Sequence, residues 1–164
     1  AVCFQQRFPH LRWQASDPDP EHRASIDAWI QHQGLGQVMP TALNLDVEDR
    51  PWPLPRDILK ELKAVVCINL LHISPAGCTD AVLEESALLL PSGAPLVIYG
   101  PFMRDGAHTS ASNAAFDASL RQRNPQWGLR ELNQVAAIAT KAGFKLDEVV
   151  SMPAHNLTLA LRRL

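Results

Sequence analysis

Two strand-like runs near the C-terminus, 144–152 and 156–163, are separated only by Pro153-Ala154-His155. A parallel crossover takes about a dozen residues or more, so this pair must run antiparallel. Within 156–163, Leu157, Leu159 and Leu161 alternate with Thr158, Ala160 and Arg162. That is the period of a strand with unequal faces. Upstream the pattern changes. Ala64-Val65-Val66-Cys67-Ile68 is a near-continuous apolar run, which predicts a strand buried on both faces of a parallel sheet. Residues 95–99 form a second such strand. Between them, 76–90 reads as a helix with Val82, Leu83, Ala87, Leu88 and Leu90 inward. Alternating strands and helices imply an α/β fold of the Rossmann-like kind. A mostly parallel sheet finished by an antiparallel C-terminal hairpin is a narrow topological specification.

The rest of the chain fits that frame. Residues 11–15 and 41–45 read as short strands. Residues 20–33 read as a helix with Ile26, Ala28, Trp29 and Ile30 on its apolar stripe, and 113–122 and 130–142 as two more. Residues 50–55 form a proline-rich loop. The stretch 100–112 reads as a long polar loop, which favours a functional role.

With 164 residues, the chain has the size of one domain. A formal charge of −2 and no basic block argue against a nucleic-acid partner. The longest apolar run, 64–71, is far too short to span a bilayer, so no membrane partner is expected. The three cysteines, Cys3, Cys67 and Cys78, have neither disulfide nor zinc spacing. No metal site is expected, and a reducing cytoplasm is the default setting.

Ligands of open α/β sheets sit at the carboxyl ends of the strands. Here those ends carry Asp17, Asp46, Asn69 and Tyr99. Asp17 can accept from ribose hydroxyls or cap the following helix. Asp46 can meet an adenine amino group with Leu45 or Val47 against the ring, or simply start a turn. Asn69 can present an amide to cofactor or substrate. His72 is a candidate general base, or a structural histidine. Tyr99 could set an aromatic face beside a sulfonium cation, and Gly100 permits a sharp turn.

The runs Trp13-Gln14-Ala15-Ser16-Asp17-Pro18-Asp19, His72-Ile73-Ser74-Pro75, Tyr99-Gly100-Pro101-Phe102, Ser112-Asn113-Ala114-Ala115-Phe116-Asp117 and Trp127-Gly128-Leu129-Arg130 resemble the methyltransferase-like protein 26 family. The family lies within the class I S-adenosylmethionine-dependent methyltransferases. The resemblance covers 1–164 as a single, N-terminally incomplete domain. It implies a seven-stranded sheet whose central first strand and glycine-rich loop would precede Ala1. It also implies S-adenosylmethionine as cofactor, with Asp17 on the ribose, Asp46 and Val47 beside the adenine, and Asn69 and Leu70 toward methionine and substrate.

The expected function is therefore methyl transfer to a small-molecule acceptor. Two other readings stay open: a non-catalytic cofactor- or metabolite-binding module of the same fold, and a nicotinamide-dependent oxidoreductase.

Overall fold

The computed structural model describes residues 1–164, which divide into two units, Ala1–Pro53 and Leu54–Leu164. The N-terminal unit holds α1 (Val2–Arg7) and α2 (Pro20–His32). Asp19, not Asp17, caps α2. Its carboxylate accepts from the N–H groups of Glu21 and His22 at 2.7 and 3.4 Å, donors that have no partner inside the helix. Of the expected apolar stripe only Ile30 is fully buried, and Trp29 is 58% exposed. Ala28, Trp29 and Ile30 are consecutive and fan over about 200° of the helix, so one face cannot hold them all.

The expected strands 11–15 and 41–45 shrink to one parallel bridge, Ser16 with Leu43. Two backbone bonds hold it, Asp17 N–H to Leu43 O and Leu43 N–H to Ala15 O. Side chains take the neighbouring carbonyls that would extend the ladder. Gln14 Nε2 donates to Thr41 O at 2.8 Å, and an Arg23 guanidinium nitrogen donates to Asp17 O at 2.9 Å. Pro18 and Pro40 have no N–H to add.

The C-terminal unit opens with a short helix, α3 (Arg56–Glu61). Its main sheet is built from β1 (Val65–Ile68), β2 (Pro95–Gly100), β6 (Phe144–Met152) and β7 (Asn156–Arg163). The order is β1-β2-β7-β6. β1 and β2 are parallel, and β7 is antiparallel to both β2 and β6, as the three-residue link required. Leu157, Leu159 and Leu161 are 4% exposed or less. They share the buried face with Leu96 and Ile98 of β2 and with α4 (Gly77–Leu89), where Val82 and Leu83 are buried.

Two expectations fail here. β1 is not buried on both faces: it is an edge strand with one neighbour, and Ile68 is 48% exposed. In α4, Leu88 is 78% exposed, because the helical period turns it away from the face that holds Ala87.

The polar stretch after β2 is a second small sheet, not an irregular loop. β3 (Phe102–Arg104) pairs antiparallel with β4 (Ala107–His108) and parallel with β5 (Arg130–Glu131). The turn residues Asp105 and Gly106 have φ of 53° and 75°, and Asp-Gly is a strong signal for the primed turn that matches strand twist. Glu131 accepts from both turn N–H groups at 3.1 Å. Two helices complete the unit, α5 (Ala111–Arg123), capped by Ser110, and α6 (Leu132–Lys141). No helix is long and apolar enough to cross a membrane.

Candidate functional site

At the carboxyl end of β1 the backbone turns sharply. Asn69 has φ of 55°, and its N–H donates to Tyr99 O at 2.9 Å. Asparagine tolerates this left-handed conformation better than most residues. The chain then runs through Leu70 into a 3-10 turn, Leu71–Ile73. At the end of β2, an added Cβ on Gly100 would lie 3.3 Å from His72 Nδ1 and 3.9 Å from Asn69 Oδ1. The structure thus brings Asn69 and His72 together around the backbone of Gly100. Any larger residue at position 100 would crowd them.

His72 is buried, and its ring meets Phe116 edge to face with centroids 5.6 Å apart. Burial, reinforced by the Arg130 charge, lowers its pKa from 6.5 to about 4. Desolvation disfavours the charged imidazolium. At neutral pH His72 is therefore an uncharged imidazole. Tyr99 does not join it. Side chains alternate along β2, so Tyr99 projects from the face opposite Ile98 and Gly100.

A polar network that sequence reasoning missed lies beside His72. Asp117, on α5, is 6% exposed. It accepts from the Leu129 N–H at 2.7 Å, from Arg121 Nε at 3.0 Å and from His108 Nε2 at 3.1 Å, the last being an assigned imidazole orientation. Desolvation raises its pKa, but the Leu129, Arg121 and His108 hydrogen bonds outweigh it and hold the carboxyl below its ordinary value. The adjoining Gly128 N–H donates to His72 O at 3.0 Å. Arg130 donates to Gly128 O and Ser74 O. Asp117 therefore fixes the loop that supports His72 and also orients the His108 ring.

In the N-terminal unit, Asp17 uses one oxygen. Oδ1 accepts from Asp19 N–H at 2.9 Å and contacts His22 Nδ1 at 3.2 Å, with the side chain 31% exposed. Its other oxygen has no hydrogen-bond partner. Asp46 is exposed, and its Oδ1 accepts from Glu48 N–H at 3.0 Å, the geometry of an aspartate turn. Val47, half-buried, gives its carbonyl to Trp52 Nε1 at 3.1 Å.

Solved structures share this fold. An O-methyltransferase family protein from Burkholderia thailandensis is 21% identical, with a TM-score of 0.78 over 97% of this chain and 46% of that one. PigF with SAH gives 11% identity and a TM-score of 0.81 over 99% and 46%. The O-methyltransferase NcsB1 from neocarzinostatin biosynthesis, in complex with S-adenosylmethionine and 2-hydroxy-5-methyl naphthoic acid, gives 15% and 0.74 over 99% and 45%. The chain spans less than half the length of each. These likenesses establish that the chain has the same α/β fold as these solved structures. A family model described as "Protein of unknown function (DUF938)" matches residues 1–163, and the chain belongs to that family.

Proposed function

We propose that this chain supports S-adenosylmethionine-dependent methyl transfer to a small-molecule acceptor. The observation that carries the reading is the sheet order β1-β2-β7-β6, with its single antiparallel strand inserted between parallel ones. Neighbours of the same fold include one with SAH and one with S-adenosylmethionine and an aromatic hydroxy acid. The sequence resemblance to the methyltransferase-like protein 26 family supports the same reading at a finer level.

The residues fit the cofactor's chemistry. Asp17 keeps one carboxylate oxygen free of protein donors, as a ribose hydroxyl would require. Asp46 and Val47 would border the adenine. Asn69 and Leu70, at a strand end where Gly100 leaves no side chain in the way, would face the methionine end. The cofactor supplies an electrophilic methyl group on a sulfonium sulfur. The protein's part is mainly orientation, which can contribute about 7–11 kcal/mol to such a step. Neutral His72 can accept a hydrogen bond from an acceptor hydroxyl. Tyr99, on the other face of β2, could set its aromatic ring beside the sulfonium.

The test is calorimetric titration with S-adenosylhomocysteine. Asp17→Ala should weaken binding by about tenfold or more, since a hydrogen bond to a carboxylate contributes roughly 1.5–3 kcal/mol. Unchanged affinity would remove Asp17 from the site. Nucleoside binding without methyl release on hydroxylated aromatic acceptors would favour the non-catalytic module.

A further inference from the structure

A cavity of about 230 Å³ opens where β6 ends and β7 begins, at the same end of the sheet as Asn69 and Gly100. Its polar walls are Arg104, Thr109, Ser151, His155 and Asn156, with Met152 and Leu157 as the apolar part. No carboxylate lines it. Two acids of the neighbouring small sheet are occupied elsewhere. Glu131 accepts from the Asp105 and Gly106 N–H groups, and Asp105 accepts from Asn133 Nδ2.

The walls are braced from behind by one buried amide. Asn113, 6% exposed, donates from Nδ2 to Thr109 Oγ1 at 2.9 Å and to His155 O at 3.1 Å. Thr109 Oγ1 thereby accepts one hydrogen bond from within the protein, and its O–H proton is left to donate. The His155 carbonyl is turned back to Asn113, away from any ligand. Asn156 likewise spends an amide proton on Pro153 O. Ala154 and His155 both have φ of 57°, a conformation that costs a non-glycine residue energy and persists only where the surroundings enforce it. The result is a cavity lined by a guanidinium, an imidazole and two hydroxyls, with the His155 and Pro153 carbonyls engaged by the Asn113 and Asn156 amides.

We propose that this cavity binds the oxyanion head group of a small organic acid, gripped by Arg104 and by the Thr109 and Ser151 hydroxyls. Its volume is below the roughly 300–1,000 Å³ of whole-ligand pockets, so it takes one end of a molecule. A guanidinium matches the two oxygens of a carboxylate or phosphate. That this molecule is the methyl acceptor rests on the methyltransferase reading; the oxyanion site does not.

The experiment titrates the 15N-labelled chain, without nucleoside, with benzoate, phenyl phosphate and the neutral isostere benzamide, following amides 151–157 and Arg104 Nε–H. Benzoate should give saturable shifts there, with benzamide at least about tenfold weaker. Arg104→Gln, at an exposed position, should erase the difference. Tighter phenyl phosphate than benzoate would support the site and identify its head group as a phosphate. Equal binding of benzoate and benzamide, shifts mapping elsewhere, or an unchanged benzoate affinity in folded Arg104→Gln would overturn it. S-adenosylhomocysteine titration is run separately. Benzoate binding without nucleoside binding would leave this site standing and remove the methyltransferase reading.

Discussion

Replacing Asp117 separates the three hydrogen bonds it receives, because they differ in burial. The Leu129 N–H bond, at 2.7 Å, joins two buried residues. Deleting its acceptor strands a buried donor, which costs about 1–3 kcal/mol. The Arg121 partner is 52% exposed and sits four residues along the helix, a geometry worth roughly 0.3–0.5 kcal/mol. His108 is 28% exposed, and its bond adds about 1 kcal/mol at most. The buried N–H therefore dominates. Asp117→Ala should cost about 3 kcal/mol, lowering Tm by roughly 6–12 °C for a domain near 150 residues. Asp117→Asn keeps an oxygen for Leu129 and should cost only about 1 kcal/mol, since Arg121 and His108 can turn to water. Urea denaturation of both variants and of Arg121→Ala decides it. If Asn costs as much as Ala, or Arg121→Ala as much as Asp117→Ala, then the ion pair dominates and the reasoning is wrong. The acid limb adds a sign. A depressed folded pKa means that Asp117's contribution is full above its ordinary value of 3.8 and is lost as pH falls through the lower folded value. The gap between parent and Asp117→Asn should therefore close only under strongly acidic conditions.

Gly128→Ala should be destabilising by about 2 kcal/mol or more. The backbone there has φ of 148°, and the new Cβ would stand 2.6 Å from an Arg121 nitrogen and 2.8 Å from Asp117 Oδ1. Arg121 can swing away but Asp117 cannot, so adding Arg121→Ala should restore little of the urea midpoint; full rescue would contradict the account. For His72, the folded pKa of about 4 lies below the ordinary 6.5. The unfolded chain takes up the proton first, so stability should fall as pH drops from 6.5 to 4 and level off below. His72→Gln should flatten that slope in urea midpoints taken across the window, and an unaltered slope would assign it to other groups.

The closing β6–β7 hairpin was legible because its strands carry their own period. The leucines at 157, 159 and 161 set the inward face of β7, and the three-residue link set its direction. The N-terminal strands shrink to a single bridge for a local reason. Apolar residues at 11–15 and 41–45 give the pattern of strands, but Gln14 and Arg23 reach back to the carbonyls that would extend the ladder. Side-chain competition of that kind leaves no periodic trace. The polar stretch after β2 was a different omission. Asp105-Gly106 is a hairpin signal in its own right, and reading the segment by polarity alone concealed it.

Of the candidate site, the strand ends were visible in the sequence; the groups that hold them in place were not, although part of their logic can be read once two periods are combined. Asn113 and Asp117 are four residues apart on α5, so they share one helical face, and both are buried along it with Leu120. A buried helix face with two polar residues demands donors from elsewhere. His108 and Thr109 are adjacent at the end of the hairpin. His108, at the end of β4, goes to Asp117, and Thr109, in the bend that follows, goes to Asn113. One pair of adjacent residues thus docks onto one i, i+4 pair. The two bonds do different work: the first fixes the loop behind His72, and the second shapes the wall of the oxyanion cavity. Because both run through α5, a shift of that helix along its axis would disturb the strand-end site and the cavity together, whereas Arg104→Gln should disturb only the cavity.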